Sequence, residues 1–310
     1  MANGFRRTLV RLLGRTPRRC PLRPGVVERV ALAGFVREKV NYAVAPGERV
    51  SAYLFLPDGG APRPAILCIH QHNREFHLGK SEPAGLSGNP EQFYALELAK
   101  RGYITLCPDT IGFEERQHPI LRGADFERFE ATRLLTLGST LQAKILSDLM
   151  RALDYLMTRK EVDRRRLGCL GHSLGGQETL FLSAVDRRIG AAVSSCGFSS
   201  YQAIFDAAIL HNLALYVPGL LAHGDLDRVL GLVAPRPFLA LAGSGDPMFP
   251  LGGVQATVRG AKRAYTGTKD RLELEIFPLG HGFSAPMREA AYAWLDRWLR
   301  PEERQAKRNT

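Results

Sequence analysis

The stretch Leu167-Gly168-Cys169-Leu170-Gly171-His172-Ser173-Leu174-Gly175-Gly176 constrains this chain more than any other. A short apolar run ends in a glycine-flanked serine and passes straight into a helical pattern, so it reads as a strand, a sharp turn and a helix. Gly171 and Gly175 complete a G-x-S-x-G pattern, in which the serine is held on a strained turn with its hydroxyl exposed at the sheet edge. Glycine is needed on both sides because neighbouring backbone passes close to such a turn, where a Cβ would collide with it. An ordinary strand-to-helix turn with a solvent-exposed serine also fits these five residues, so the rest of the chain must decide.

The surrounding pattern supplies a sheet for the turn to stand on. Residues 36–44 and 49–56 alternate apolar and polar residues, and short, mostly apolar runs follow at 65–70, 103–107, 167–171, 189–196, 237–242 and 272–277, interleaved with helical stretches at 90–101, 139–159, 175–185, 254–265 and 285–299. Strands apolar on both faces that alternate with helices predict an α/β fold, with a mostly parallel sheet covered on both sides. Eight strands are expected, the first two forming an antiparallel hairpin around Pro46-Gly47. A chain of 310 residues is long enough for one such domain. It is placed at residues 36–299, between an N-terminal arm (1–35) and a short tail (300–310). Two connections, about 110–138 and 197–236, are longer than the fold needs; their apolar and aromatic content reads as ordered cap insertions over the site.

The net charge of +11 would suggest an acidic partner if it were spread evenly. It is not: Arg6, Arg7, Arg11, Arg15, Arg18, Arg19 and Arg23 fall in the first 23 residues, which hold no acid. The remainder is only mildly basic, and no nucleic-acid partner is expected. Phe5, Leu9, Leu12 and Leu13 follow helical spacing, so the arm is read either as a helix docked on its own domain or as a basic amphipathic helix in peripheral contact with a membrane. Arg11 and Arg15 interrupt the apolar stretch behind Arg6-Arg7 before a secretory signal can form. No run approaches the roughly 18 apolar residues of a membrane span. Cys68, Cys107, Cys169 and Cys196 lie one each in apolar strand-like runs, with Cys20 alone in the arm. They lack disulfide or zinc spacing, and a reducing cytoplasm is the expected compartment.

A serine nucleophile requires a base, and the base an orienting acid. Of eight histidines, His281 is best placed, in Pro278-Leu279-Gly280-His281-Gly282 after the last strand. Asp246 follows the 237–242 strand in Gly243-Ser244-Gly245-Asp246-Pro247, again at the strand end where an open α/β sheet forms its ligand crevice. Asp225 and Asp227 compete for this role, but they precede a short helical run where N-capping is expected. The oxyanion of an ester's tetrahedral intermediate needs two N–H donors. One is assigned to the main chain of Leu174. The other is assigned to the loop His70-Gln71-His72-Asn73, with His72 ahead of Gln71. His70, His72 and His77 lack the carboxylate or cysteine spacing of a metal site, and the glycine-rich segments lack a phosphate-loop pattern, so neither a metal nor another cofactor is expected.

These segments resemble a known family. The elbow GHSLGG, the Asp246 segment APRPFLALAGSGDPMFP, the His281 segment PLGHGF and the loop HQHN resemble the α/β-hydrolase superfamily, and within it the dienelactone hydrolase and acetyl xylan esterase-like hydrolases. The stretches HQHNREFHLGKSE, LCPDTIGFEER and GDLDRVLGLVAPRP are similar to bacterial members of the same branch. The resemblance spans about residues 36–299 and omits the arm. It implies the α/β-hydrolase fold, with Ser173 as nucleophile, Asp246 as acid and His281 as base. Dienelactone hydrolases proper carry a cysteine nucleophile where this elbow carries serine. The expected activity is serine-dependent hydrolysis of a small or medium-sized carboxylic ester through an acyl-enzyme. Thioester cleavage, acyl transfer and peptide cleavage on the same triad are alternatives, as is a non-catalytic binding protein that docks through the arm.

Overall fold

The computed structural model describes residues 2–60 and 62–300. Helix α1 (Ala2–Leu13) precedes the strands β1 (Gly25–Leu32), β2 (Phe35–Ala45) and β3 (Glu48–Pro57). Strands and helices then alternate: β4 (Arg63–Ile69), α2 (Tyr94–Lys100), β5 (Ile104–Pro108), α3 (Gly123–Thr136), α4 (Leu141–Thr158), β6 (Val162–His172), α5 (Leu174–Val185) and β7 (Ile189–Ser195). The chain continues through α6 (Tyr201–Asp206), α7 (Leu226–Gly231), β8 (Phe238–Gly243), α8 (Leu251–Ala261), β9 (Leu272–Phe277) and α9 (Ala285–Leu299).

All nine strands form one sheet in the order β1-β2-β3-β5-β4-β6-β7-β8-β9. β1, β2, β3 and β5 pair antiparallel in turn, and every pairing from β5 through β4 to β9 is parallel. The two-sided apolar strands explain the layering. Along β4, Ala65, Leu67 and Ile69 enter one core with side chains of α1, α4, α5, α7 and α8, whereas Ile66 and Cys68 enter the other with α2 and α9. Successive strand side chains point to opposite faces, so a run without polar residues must be covered twice.

Two expectations change here. The sheet has nine strands rather than eight, and the first lies inside the segment read as an arm. β1 is solvent-exposed along most of its length, with Val26 and Val27 more than half exposed. It is recruited through main-chain pairing with β2 rather than by burying a face, so periodicity gave no sign of it. The division at residue 35 therefore falls within a β-hairpin. The remainder of the arm is docked as well. Phe5, Leu9 and Leu13 are buried, Arg6 donates to the carbonyls of Ala184, Val185 and Leu232, and Arg15 N–H binds Gly138 O at 2.9 Å. Arg6 thereby satisfies carbonyls left open at the C-terminus of α5, the favourable end for a cation. Of the two long connections, the first carries α3, and the second carries α6, α7 and two short 3₁₀ turns.

Candidate active site

Ser173 stands between β6 and α5 with φ 55° and ψ −118°, a strained combination for a residue with a Cβ. The surrounding backbone enforces it. Ser173 N–H binds Ser195 O on β7 at 2.9 Å, and Gln177 N–H returns to Ser173 O at 2.9 Å. A Cβ on Gly175 would lie 1.9 Å from Ile69 O, and one on Gly171 would lie 2.3 Å from the Gly175 carbonyl carbon. The glycines are thus demanded by close passage of main chain.

His281 and Asp246 meet this serine from two other strand ends. Ser244 N–H binds Phe277 O at 2.8 Å and Gly245 N–H binds Leu279 O at 3.0 Å, which zips the turn after β8 to the loop after β9. Gly243 permits that approach, since a Cβ there would sit 2.2 Å from Gly280 O. The result is a continuous chain: Ser173 Oγ lies 2.9 Å from His281 Nε2, and His281 Nδ1 lies 2.9 Å from Asp246 Oδ2. The second carboxylate oxygen, Oδ1, accepts the N–H groups of Met248 at 2.8 Å and Phe249 at 3.2 Å. Burial pushes the Asp246 carboxyl up, but the hydrogen bond and charge of His281 and the two amides outweigh it and hold the group below its ordinary value. Ser173 and His281 are partly exposed while the Asp246 side chain is buried, so solvent reaches the Ser173–His281 end of the chain and not Asp246. Asp225 caps α7 instead, accepting Leu226 N–H at 2.6 Å and Tyr201 N–H at 2.8 Å.

Two neighbours of this chain carried no sequence signal. His172 is fully buried, and desolvation, reinforced by the neighbouring His281, lowers its pKa to about 3, so it is neutral. Its Nδ1 lies 3.0 Å from Ser195 Oγ, its ring stacks on Phe283, and its centroid is 4.9 Å from that of His281. The His281 imidazole is thus packed against a neutral ring on one side and approached by Phe249 at 5.8 Å. Cys196 is the second. Its sulfur shares a cluster with His281 and Asp246 in which the ligand-type atoms lie within 4.8 Å of one another. Burial pushes its thiol up to about 12, so it stays protonated, whereas a metal ligand or nucleophile would need the thiolate.

The loop after β4 is braced from several sides. His70 Nε2 accepts Thr110 N–H at 3.0 Å, so its proton is on Nδ1, which donates to Gln71 O at 2.7 Å. The Gln71 amide donates to both oxygens of Glu82 at 3.1–3.2 Å. His72 Nδ1 accepts Arg74 N–H, and its Nε2–H donates to Glu127 Oε2 at 2.8 Å. The side chains of Gln71 and His72 are therefore engaged away from Ser173, which leaves their main-chain N–H groups as the donors to consider. Leu174 is the first residue of α5, where the N–H has no intrahelical acceptor.

Beneath the loop, fully buried Lys80 reaches Asp109 Oδ2 at 2.8 Å, Glu114 Oε1 at 2.6 Å and Glu115 Oε1 at 2.8 Å. The three carboxylates form a second cluster of closely spaced ligand-type atoms, but the Lys80 ammonium already supplies its cation. Burial drives Asp109 up to about 7 against the pull of Lys80. Burial also acts on Glu115, but Lys39 and Lys80 outweigh it and hold that carboxyl down at about 2. Two separate stretches build this network: Lys80 comes from the one ending in GKSE, and Asp109, Glu114 and Glu115 from the one ending in FEER.

Residues 50–304 match the profile of the Dienelactone hydrolase family. The chain belongs to this family. It is a hydrolase of the α/β-hydrolase fold. YtaP of Bacillus subtilis (strain 168) is 29% identical over 300 residues, covering 95% of this chain and 98% of its own length. Among solved structures, the glucuronoyl esterase from Solibacter usitatus superposes with a TM-score of 0.70 at 18% identity, covering 94% of this chain and 91% of its own. Acetyl Xylan Esterase 1 from Thermoanaerobacterium sp. JW/SL YS485 gives a TM-score of 0.63 at 17% identity, covering 93% and 97%. At these identities the structural likeness speaks for the fold alone.

Proposed function

We propose that this dienelactone hydrolase-family chain is a serine-dependent hydrolase of small or medium-sized carboxylic esters, working through an acyl-enzyme. The observation that carries this reading is the unbroken chain from Ser173 Oγ through the His281 ring to Asp246 Oδ2, both links 2.9 Å, with the serine held on a strained turn. In this reading Ser173 Oγ attacks the ester carbonyl while His281 Nε2 takes its proton. Asp246 holds the Nδ1–H tautomer and stabilises the imidazolium. The tetrahedral oxyanion faces Leu174 N–H and a main-chain N–H of the Gln71–His72 loop. Collapse expels the alkoxide, which takes the proton back from His281, and leaves Ser173 acylated. Water, deprotonated by His281 in turn, releases the acid and restores the serine.

The two long connections act as the cap over this site. Glu127 on α3 joins them: Oε2 accepts His72 Nε2–H, and Oε1 accepts Leu213 N–H at 2.6 Å. It is a positioning residue that ties the donor loop to both cap segments. The test is direct. Ser173→Ala should remove turnover of p-nitrophenyl acetate and covalent labelling by a fluorophosphonate probe while leaving the thermal melt unchanged. Full turnover by that variant would overturn the assignment.

A further inference from the structure

The arginine-rich arm takes no part in the ester chemistry. Helix α1 is fixed rather than tethered. Phe5, Leu9 and Leu13 are buried, Thr140 Oγ1 donates to Leu13 O at 2.9 Å, and Ser139 Oγ donates to Arg15 O at 2.6 Å. At 100° per residue, Arg7 and Arg11 project from the side opposite the Phe5-Leu9-Leu13 stripe. Both are exposed, as is Arg15 just past the helix end, and among the described residues these three have no acidic partner. Docking thus uses up the helix's apolar face and leaves its charged face outward.

Apolar ground adjoins the Leu12 flank of this helix. A Cβ on Gly219 would stand 3.4 Å from Leu12 Cδ2, so the 216–222 segment abuts α1. That segment and α6 line a groove of about 270 Å³ with Tyr201, Phe205, Tyr216 and Leu221 among its walls. The rings of Phe205 and Tyr216 lie parallel with centroids 6.2 Å apart. Phe205 is 48% exposed, Leu221 44% and, on α1 itself, Val10 50%.

We infer that the outward face of α1, together with the adjoining 216–222 groove, is a docking surface for the anionic headgroup layer of a lipid bilayer. Fixed arginines beside exposed aliphatic and aromatic side chains match a surface that is negatively charged outside and apolar just beneath. Nucleic acid would use the arginines and leave the apolar groove idle. A second copy of the chain, meeting this face through a two-fold axis, would set arginine against arginine. The inference is independent of the hydrolase reading, because it concerns only where the molecule rests.

The experiment is co-sedimentation of the full-length protein with vesicles of phosphatidylcholine alone or mixed with phosphatidylglycerol, over a salt series. Binding is expected only with phosphatidylglycerol and should weaken as salt rises. Each arginine neutralised near such a surface lowers binding about fivefold, so the Arg7→Gln/Arg11→Gln/Arg15→Gln variant should lose on the order of a hundredfold. Thermal melting and esterase turnover of the same variant check that it is folded. A second variant, Leu221→Ser/Phe205→Ser, should weaken vesicle binding without altering the steepness of its salt dependence. Equal binding to both vesicle types, a triple variant with undiminished binding, or salt-sensitive binding to duplex DNA without vesicle binding would each overturn the inference.

Discussion

Replacing Asp246 by asparagine is the sharpest probe of the site, because the structure dictates how the new amide must sit. Oδ1 of Asp246 accepts two main-chain N–H groups, from Met248 and Phe249, and Oδ2 accepts His281 Nδ1–H. Asparagine has one carbonyl oxygen to divide between these two places. Turning its NH₂ toward Met248 and Phe249 would set donor against donor and strand both amides, at about 1–3 kcal/mol for each buried unsatisfied group. The oxygen therefore stays with the amides and the NH₂ faces His281. Nδ1 must then act as acceptor, and the ring proton moves to Nε2, which lies 2.9 Å from Ser173 Oγ. An Nε2–H cannot take the serine proton. The same wrong-tautomer substitution in a serine protease triad costs about 10⁴ in kcat, or about 5.4 kcal/mol at 1.36 kcal/mol per decade. Asp246→Asn should therefore keep nearly wild-type urea stability and lose about 10⁴-fold in kcat on p-nitrophenyl acetate. Asp246→Ala, which strands both amides, should also unfold at lower urea. Histidine ¹⁵N shifts would report the tautomer directly. An Asp246→Asn enzyme that kept more than about a tenth of its kcat, or the Nδ1–H tautomer, would refute the reasoning.

Two further outcomes follow from the buried charges. Lys80→Met removes the ammonium from Asp109, Glu114 and Glu115, and breaking a buried ion pair from one side costs about 3–5 kcal/mol. Urea unfolding should show that loss at pH 8 and a smaller one at pH 6, where Asp109, already pushed up to about 7, takes up a proton. Glu178, on α5, is fully buried and hydrogen-bonded only to the amides of Gln142 and Gln177 among the described residues, and desolvation raises its carboxyl well above the ordinary value. A group whose folded pKa is raised contributes stability below its unfolded pKa and loses it progressively as pH rises toward the folded value. Glu178→Gln removes that dependence, so the stability of the variant relative to wild type should climb from about pH 4.5 upward. A constant difference across pH would show that Glu178 is ionised in the fold.

The parts of this molecule legible in sequence are those where a residue's local context already contains the reason for it. All eight runs became strands: the wholly apolar central ones because they can be stable only between two helical layers, and β2 and β3 because their apolar and polar residues alternate around the Pro46-Gly47 turn. Asp225 was recognisable as a cap from the helical run that follows it, and the close glycine packing around Ser173 from the elbow pattern itself. β1 was invisible because its exposed side chains follow no buried face and its partner is set by main-chain pairing with β2. Lys80 was equally hidden: a lysine between glycine and serine looks like surface, and only the approach of residues 109–115 turns it into a buried cation.

The sequence by itself determined the strand-turn-helix at Ser173, the order in which serine, aspartate and histidine follow one another, and the segregation of charge into the first 23 residues. Those are properties of neighbours along the chain, fixed by propensity, glycine placement and hydrophobic period. Tertiary structure decided the rest. It set the two 2.9 Å links of the Ser173–His281–Asp246 chain across 108 and 35 residues, turned Gln71 and His72 side chains away toward Glu82 and Glu127, and laid α1 down with Leu9 and Leu13 inward and Arg7 and Arg11 outward. The physical reason is that a hydrogen bond or an ion pair has no period. It exists only where folding brings a donor and an acceptor to the same place, and nothing local to either residue records its partner.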